Sequence, residues 1–375
     1  MKKRTFKLMA VAMVFALIFA FAAIPASAAT NYTPIGGSTN ITKNLVVESD
    51  ANIPDITFGY TITRGTPVAA TSNTIEILAS ELGASIGNAT FSNADTANTI
   101  NGLPTDADPA QPTAGKKYAQ KSVTVTFPAG SFTKPGVYRY VIAETDGQKP
   151  GVTYDTTSRY LDVFVVANAN NELSVESYVL RNSANTIGTD YKYTTDPDEK
   201  SSGYTNTVTQ YDFQFSKAIT GNQGDKNKLF TFTLNITNAI PGTYPVETTG
   251  VSSNVSSITI GSDGTYTGSI DLTDGSNVRI INLNKDAVCT VSEDAQDYTA
   301  SHVIDSGSSV SGNNSGAITL ADADHSVAFT NTRNGVIPTG VLLTIAPFAI
   351  GLLLFGALAI FFVARRKRRV EDEED

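Results

Sequence analysis

Residues 137–144 of this chain read Val-Tyr-Arg-Tyr-Val-Ile-Ala-Glu. Because side chains alternate between the two faces of a β-strand, Tyr138, Tyr140 and Ile142 share one apolar face. Glu144 ends the stretch on that same face. The stretch therefore predicts a half-buried strand that carries one acidic side chain toward the interior.

The same two-residue alternation recurs along most of the chain. Further alternating segments lie at residues 123–127, 161–166, 229–236 and 278–281. Pro-Gly, Asp-Gly and Asn-Gly pairs mark turns, and no long stretch has the 3.6-residue period of a helix, although residues 74–82 fit one or two helical turns. Residues 92–116, rich in Asn, Asp, Thr and Pro, predict a surface insertion or long loop without an assigned role. The chain between its two ends is predicted to be all-β.

A weak internal repeat divides this all-β region into two halves. The matching elements are residues 41–45 and 215–219, 58–62 and 230–234, 140–144 and 289–293, and 204–206 and 329–331. The boundary falls near residues 207–211, which form a short segment without Gly. We therefore expect two domains that are stiffly joined.

Each half places one Lys, one Glu and one Asn on the apolar side of its strands. The two triples are Lys43, Glu144 and Asn206, and Lys217, Glu293 and Asn331. Burial lowers the pKa of a Lys and raises the pKa of a Glu, which yields a nucleophilic amine and a carboxylic acid that polarises the Asn carbonyl. Attack of the amine with loss of ammonia leaves a Lys–Asn amide bond. A buried salt bridge with Asn as a hydrogen-bond partner is the alternative, and two triples in the same order favour the bond.

With these triples and three further motifs, the chain resembles the backbone pilins of Gram-positive pili, of the streptococcal two-domain kind with self-generated isopeptide bonds. The motifs are residues 132–138, 150–155 and 335–340. The resemblance implies two tandem immunoglobulin-like β-sandwich domains. It also implies a Lys43–Asn206 bond assisted by Glu144 and a Lys217–Asn331 bond assisted by Glu293. Such a protein is structural rather than an enzyme, catalyses only its own bond formation and needs no cofactor or metal.

Both ends of the chain carry export signals. Four basic residues, an apolar run at residues 8–24 and Ala-Ser-Ala at 26–28 predict a cleaved signal peptide. Near the other end, an apolar run at residues 341–364 is long enough to cross a bilayer, and the basic residues 365–369 would stop translocation. The predicted segments are a signal peptide (1–28), an N-terminal isopeptide domain (29–208), a C-terminal isopeptide domain (209–333), a sorting motif (334–340), a transmembrane segment (341–364) and a charged cytoplasmic tail (365–375).

The motif Ile337, Pro338, Thr339 and Gly340 resembles the sorting signal that sortase transpeptidases cut between Thr and Gly. A plain membrane anchor is the alternative, and the order of motif, span and basic stop favours sorting. The resemblance implies that Thr339 is joined to a lysine of the next subunit, for which Lys200 is the first choice and Lys192 the second.

Charge and cysteine content limit the classes of partner. The whole chain has 27 Lys and Arg and 36 Asp and Glu; without the four basic residues of the leader and the five basic and five acidic residues of the tail, the net charge is near −13. That charge argues against nucleic acid. Cys289 is the sole cysteine and is predicted to pack inward.

The implied partners are a pilin-class sortase, copies of the chain itself, peptidoglycan reached directly or through a base pilin, accessory pilins and host surface ligands. The implied location is the cell surface, with covalent attachment to the cell wall after a transient membrane stage. A wall-anchored monomeric adhesin or an accessory pilin is the alternative function.

Overall fold

The structure is a computed structural model and describes residues 31–80, 83–103, 114–190, 200–251, 255–335, 350–358 and 360. Its strands in chain order are β1 (Ile35–Glu48), β2 (Ile56–Phe58), β3 (Tyr60–Arg64), β4 (Ile77–Leu78), β5 (Ser85–Ile86), β6 (Ala89–Phe91), β7 (Ala97–Thr99), β8 (Lys116–Phe132), β9 (Gly136–Glu144), β10 (Val152–Thr153), β11 (Arg159–Ala167), β12 (Leu173–Arg181), β13 (Gly203–Val208), β14 (Gln210–Thr220), β15 (Phe230–Thr237), β16 (Gly242–Thr249), β17 (Ser257–Ile260), β18 (Tyr266–Leu272), β19 (Asn277–Asn284), β20 (Val288–Glu293), β21 (Thr299–Ile304), β22 (Val310–Ser311), β23 (Ile318–Thr319) and β24 (His325–Thr332). A 3-10 turn spans Ile100–Gly102. The predicted all-β fold is confirmed, and the alternating segments fall in β8, β9, β11, β15 and β19.

The first half of the chain forms a sandwich of two main sheets within the described residues. One sheet has the strand order β10-β13-β1-β8-β5, with β7 also paired to β8, and the other has the order β12-β11-β9-β3, with β4 paired to β9. Leu45 and Val125 from one sheet are buried together with Tyr140 and Val163 from the other. Each such side chain contributes roughly 1.5–3 kcal/mol when it is fully buried.

The second half repeats this architecture in its own described strands. Its sheets have the orders β17-β16-β19-β14-β24-β21-β22 and β18-β15-β20-β23. Phe215 and Phe329 from the first of these sheets pack with Phe232 and Val291 from the second. Cys289 lies in this core, where burial raises the pKa of its thiol, so the cysteine packs inward as predicted.

In both halves the first long strand pairs in parallel with the last. Strand β1 lies between β13 and β8, and β14 lies between β24 and β19. Asn206 is opposite the residue two positions after Lys43, and Asn331 is opposite the residue two positions after Lys217. The two halves therefore hold their Lys and Asn side chains at the same offset on adjacent strands.

Two segments differ in structure from their sequence-based predictions, which are helical turns at residues 74–82 and a surface loop at residues 92–116. Residues 74–80 are not helical, because Ile77 and Leu78 are buried in a parallel pairing with β9 that outweighs local helical preference. The described part of segment 92–116 packs on the first sandwich: β7 pairs with β8, and the Tyr118 hydroxyl donates to the Gly102 carbonyl at 2.8 Å. Residues 104–113 within it lie outside the described residues.

The two sandwiches meet directly, with Thr209 alone between β13 and β14. The Thr209 N–H donates to the Gly151 carbonyl at 2.8 Å, and its own carbonyl accepts from the Lys285 N–H at 2.7 Å. Gly151 has φ +73°, and a Cβ there would lie 2.8 Å from the Lys285 nitrogen, so the close approach requires glycine. Ile240 of the second half is buried in the core of the first.

Parts of the predicted termini lie outside the described residues. These parts are residues 1–28, 336–349, 359 and 361–375. Residues 350–358 are helical. Within the described part of the chain, no helix is both long and apolar enough to cross a membrane.

Candidate functional site

Lys43, Glu144 and Asn206 meet in the interior of the first sandwich. Lys43 on β1 and Asn206 on β13 come from one sheet, and Glu144 at the end of β9 comes from the facing sheet. Lys43 Nζ lies 2.5 Å from Glu144 Oε2, and Asn206 Nδ2 donates to Glu144 Oε1. Lys43 and Asn206 are 0% exposed and Glu144 is 7% exposed. One buried carboxyl group therefore contacts both the amine and the amide.

Burial sets the protonation chemistry of this triple. Desolvation lowers the pKa of Lys43 to about 8, against the opposing charge of Glu144. Desolvation also raises the pKa of Glu144. Lys43 Nζ lies 4.5 Å from the centre of the Phe58 ring, which supplies an apolar wall. The site therefore favours transfer of a proton from Lys43 to Glu144, which leaves a nucleophilic amine.

The carbonyl of Asn206 has a different partner from the one that the sequence predicted. Its Oδ1 accepts a hydrogen bond from the Asp155 N–H at 2.8 Å, whereas Glu144 contacts the amide nitrogen. The cause is the pairing of β10 with β13, which places Thr153 opposite Thr207 and brings the following residues alongside Asn206. Asp155 lies in the motif at residues 150–155, and that position was the available sequence signal for its involvement.

The second triple has the same arrangement with fewer hydrogen bonds. Lys217 Nζ lies 2.7 Å from Glu293 Oε2 and 4.3 Å from the centre of the Phe230 ring. Burial lowers the pKa of Lys217. Asn331 is 0% exposed. Among the described residues, neither polar atom of the Asn331 amide has a hydrogen-bond partner, and the same holds for Glu293 Oε1.

The residues predicted for linkage between subunits are not brought together in this way. Lys200 is exposed and forms an isolated β-bridge with Arg181, shortly before β13 begins. Lys192 and the motif at residues 337–340 lie outside the described residues. Exposure makes Lys200 accessible, and its role stays a prediction.

Comparisons with known proteins match both halves of the chain. The Spy0128-like isopeptide containing domain matches residues 39–209, and a domain of unknown function (DUF7601) matches residues 211–333. A pilin from Streptococcus pyogenes serotype M1 is 26% identical over 356 residues, which cover 88% of this chain and 91% of that protein.

One solved structure agrees at the level of the fold, and a second is reported beside it. The major pilin protein (T3.2) from Streptococcus pyogenes serotype GAS13637 is 18% identical, covers 79% of this chain and 99% of its own, and superposes with a TM-score of 0.50. A second major pilin from Streptococcus pyogenes is 22% identical, with 80% and 99% coverage and a TM-score of 0.49. The predicted resemblance to streptococcal pilins is confirmed, and residues 39–209 are similar to the Spy0128-like isopeptide containing domain.

Proposed function

We propose that this chain is the structural subunit of a covalent cell-surface pilus, stiffened by one internal Lys–Asn bond in each of two domains, residues 29–208 and 209–333. The observation that carries the proposal is the buried Lys-Glu-Asn triple, which occurs twice at the same strand offset. The pilin from Streptococcus pyogenes, matched over 91% of its length, supports the same function.

In each domain the neutral Lys amine attacks the Asn Cγ. The new Lys Nζ–Cγ bond replaces the Cγ–Nδ2 bond, and the amide nitrogen leaves as ammonia. In the first domain, the Glu144 carboxyl group, protonated by transfer from Lys43, gives one proton to the leaving Asn206 nitrogen and takes the proton that the Lys43 nitrogen loses after the attack. Glu144 ends the reaction protonated as it began, so it acts as a catalyst.

The second domain supports the same reaction through its unsatisfied groups. A buried polar group without a hydrogen bond costs roughly 1–3 kcal/mol. The amide of Asn331 and Glu293 Oε1 carry this cost within the described residues. Conversion of Asn331 into a secondary amide with Lys217 removes the NH2 group of Asn331. The new amide has one N–H, which can donate a hydrogen bond to Glu293.

Assembly follows from the ends of the chain. A pilin-class sortase cuts between Thr339 and Gly340 and passes the Thr339 acyl group to Lys200 of another copy. Each subunit is then both donor and acceptor in a head-to-tail contact, and such a contact grows an open filament. Peptidoglycan, reached directly or through a base pilin, ends the filament at the cell wall.

The test is the intact mass of recombinant residues 30–335. We expect a mass lower than the sequence mass by two ammonia equivalents, one for each bond. Glu144→Ala should restore one equivalent and Glu293→Ala the other, because each carboxyl group serves its own triple. An unmodified parent mass would falsify both bonds.

A further inference from the structure

The hydrogen bond from the Asp155 N–H to Asn206 Oδ1 is held by a small network. Asp155 Oδ2 lies 2.6 Å from Arg159 Nη2, and Asp155 Oδ1 accepts from the Thr157 N–H at 3.1 Å. Both oxygens of the Asp155 side chain are therefore occupied. The network fixes the turn after β10 and aims the Asp155 N–H at the Asn206 carbonyl.

Arg159 is itself held on several sides. It is 4% exposed. Its Nε donates to Ser201 Oγ at 3.1 Å, its Nη1 donates to the Thr157 carbonyl at 3.0 Å, and its guanidinium lies 4.8 Å from the centre of the Tyr204 ring. Because Ser201 and Tyr204 flank the start of β13, Arg159 ties the Asp155 turn to the strand that carries Asn206.

The position of this N–H matters for the reaction. Attack of Lys43 on Cγ moves negative charge onto Oδ1, and a fixed N–H donor stabilises charge that develops at such an oxygen. Glu144 does not fill this role, because its two oxygens contact the amine and the amide nitrogen. The carbonyl and the leaving group are thus activated by different residues.

We propose that the Asp155 N–H, held by Thr157 and Arg159, is the oxyanion donor for formation of the Lys43–Asn206 bond, with Arg159 as a positioning residue. This inference rests on the proposed function, since it concerns one of the two bonds. It applies to the first domain alone: among the described residues, Asn331 Oδ1 has no hydrogen-bond donor. The second bond is therefore an internal control.

The experiment follows both bonds during synthesis of the full chain. The chain is pulse-labelled in cell-free translation and denatured at intervals, and the cross-linked peptides that contain Lys43–Asn206 and Lys217–Asn331 are quantified by mass spectrometry. Asp155→Pro removes the N–H, and we expect it to slow the first bond by about 100-fold. Asp155→Ala keeps the N–H but frees the turn, and we expect a slowing of about tenfold or more.

Two conservative variants separate positioning from folding. Asp155→Asn keeps a side-chain acceptor for Thr157 but loses the carboxylate that pairs with Arg159, so we expect a rate between those of Asp155→Ala and the parent. Arg159→Lys should recover part of the rate that Arg159→Met loses. If the Pro variant does not fold, the Ala, Asn and Arg159 variants still give the comparison, because all of them keep the backbone donor.

Slower formation of the first bond, with the second bond at its parent rate, supports the inference. Parent rates for both bonds in Asp155→Ala and Asp155→Pro would overturn it and leave the proposed function standing. Equal slowing of both bonds would also overturn it, because the effect would then be one on folding. A parent chain without either cross-linked peptide would overturn the proposed function together with this inference.

Discussion

At the scale of single residues, the first domain buries two kinds of ion pair with different fates. Arg139 and Asp162 form a bidentate pair, with Nε–Oδ1 at 2.6 Å and Nη2–Oδ2 at 2.7 Å. An Arg side chain does not give up its proton in a protein, so that pair stays ionic. Lys43 gives up its proton to Glu144 more readily than an Arg would, because burial lowers the pKa of Lys43. The proposed reaction therefore requires Lys rather than Arg at position 43.

The pKa of Lys43 predicts how stability depends on pH once the bond is blocked. In Asn206→Ala the Lys43–Glu144 pair remains but cannot react. Folded Lys43 has a pKa of about 8, against 10.5 for the free side chain. Between these values the unfolded chain binds more protons, so the free energy of unfolding should rise with pH. Urea unfolding from about pH 8 to about pH 9.5 measures this slope.

The control for this prediction is the double variant with Lys43→Met and Asn206→Ala, which lacks the titrating amine. It should lose the upward slope, and so should the bonded parent, whose amide nitrogen does not titrate. The window ends before Tyr60 and Tyr204 dominate, because burial raises their pKa values and reverses the sign at higher pH. A slope of equal size in the double variant would contradict the assignment to Lys43.

At the scale of elements, a covalent bond between the first and last strands would close most of a domain into one loop. The Lys43–Asn206 and Lys217–Asn331 bonds would close loops of roughly 165 and 115 residues. The loop-entropy relation for disulfides, used as an analogue, gives about 5 kcal/mol for each. Both proposed bonds would join neighbouring parallel strands, so a pull on the two ends of a domain would act on the bond before it reaches the sheets.

Asn331→Ala tests the contribution of the second bond with little other change. The variant keeps the buried Lys217–Glu293 pair and removes only the amide that reacts. We expect the calorimetric melting temperature of the second domain to fall on the order of 15 °C. Asn334→Ala, at an exposed Asn near the same strand end, is the matched control and should melt like the parent. Equal melting temperatures and equal protease resistance of Asn331→Ala and the parent would show that the bond is absent or contributes nothing.

The strands and the triples differ in how far the sequence predicts them. Strands such as β9 and β15 follow from a local pattern of period two, and the inward faces of that pattern identified the Lys, Glu and Asn residues. Strand β4 escaped prediction, because its pairing with β9 depends on residues about 60 positions away. The contact from Asp155 to Asn206 escaped for the same reason, since it depends on the pairing of β10 with β13.

At the scale of the whole molecule, the two sandwiches share a junction with many direct contacts. The Glu48 N–H donates to Gln210 Oε1 at 3.1 Å, and Asn282 Nδ2 donates to Asp50 Oδ1 at 2.7 Å. Asn52 adds a bond of 2.8 Å to the Thr243 carbonyl. These contacts, with a linker of one residue, make the two domains suited to a stiff rod rather than a hinged pair.

The polymer itself gives the prediction at this scale. A boiled, reducing gel of surface extract should show a ladder of covalent multimers. Thr339→Ala should abolish the ladder, because no acyl-enzyme can form. Lys200→Ala should also abolish it while monomer still reaches the wall, because the wall amine remains available.

Lys149→Ala, which changes another exposed lysine, is the control for Lys200 and should leave the ladder intact. A ladder that persists in Lys200→Ala would refute Lys200 as the acceptor and direct the same experiment to Lys192. A parent that gives a single band, with no ladder in any variant, would favour the anchored monomeric adhesin.

The parallel pairing of β1 with β13, and of β14 with β24, also determines when each domain is completed. When a chain is exported N-terminus first, Lys43 emerges roughly 160 residues before the strand that carries its partner. Until β13 emerges, the edge of β1 that pairs with it has no partner strand. That edge can close only when Asn206 has emerged, and the proposed amide bond would then make the closure irreversible. The sorting motif lies after both closing strands and emerges later still. In the proposed pilus subunit, the order of residues along the chain would therefore complete both domains before the sorting motif, which would commit the subunit to a fibre, is exposed.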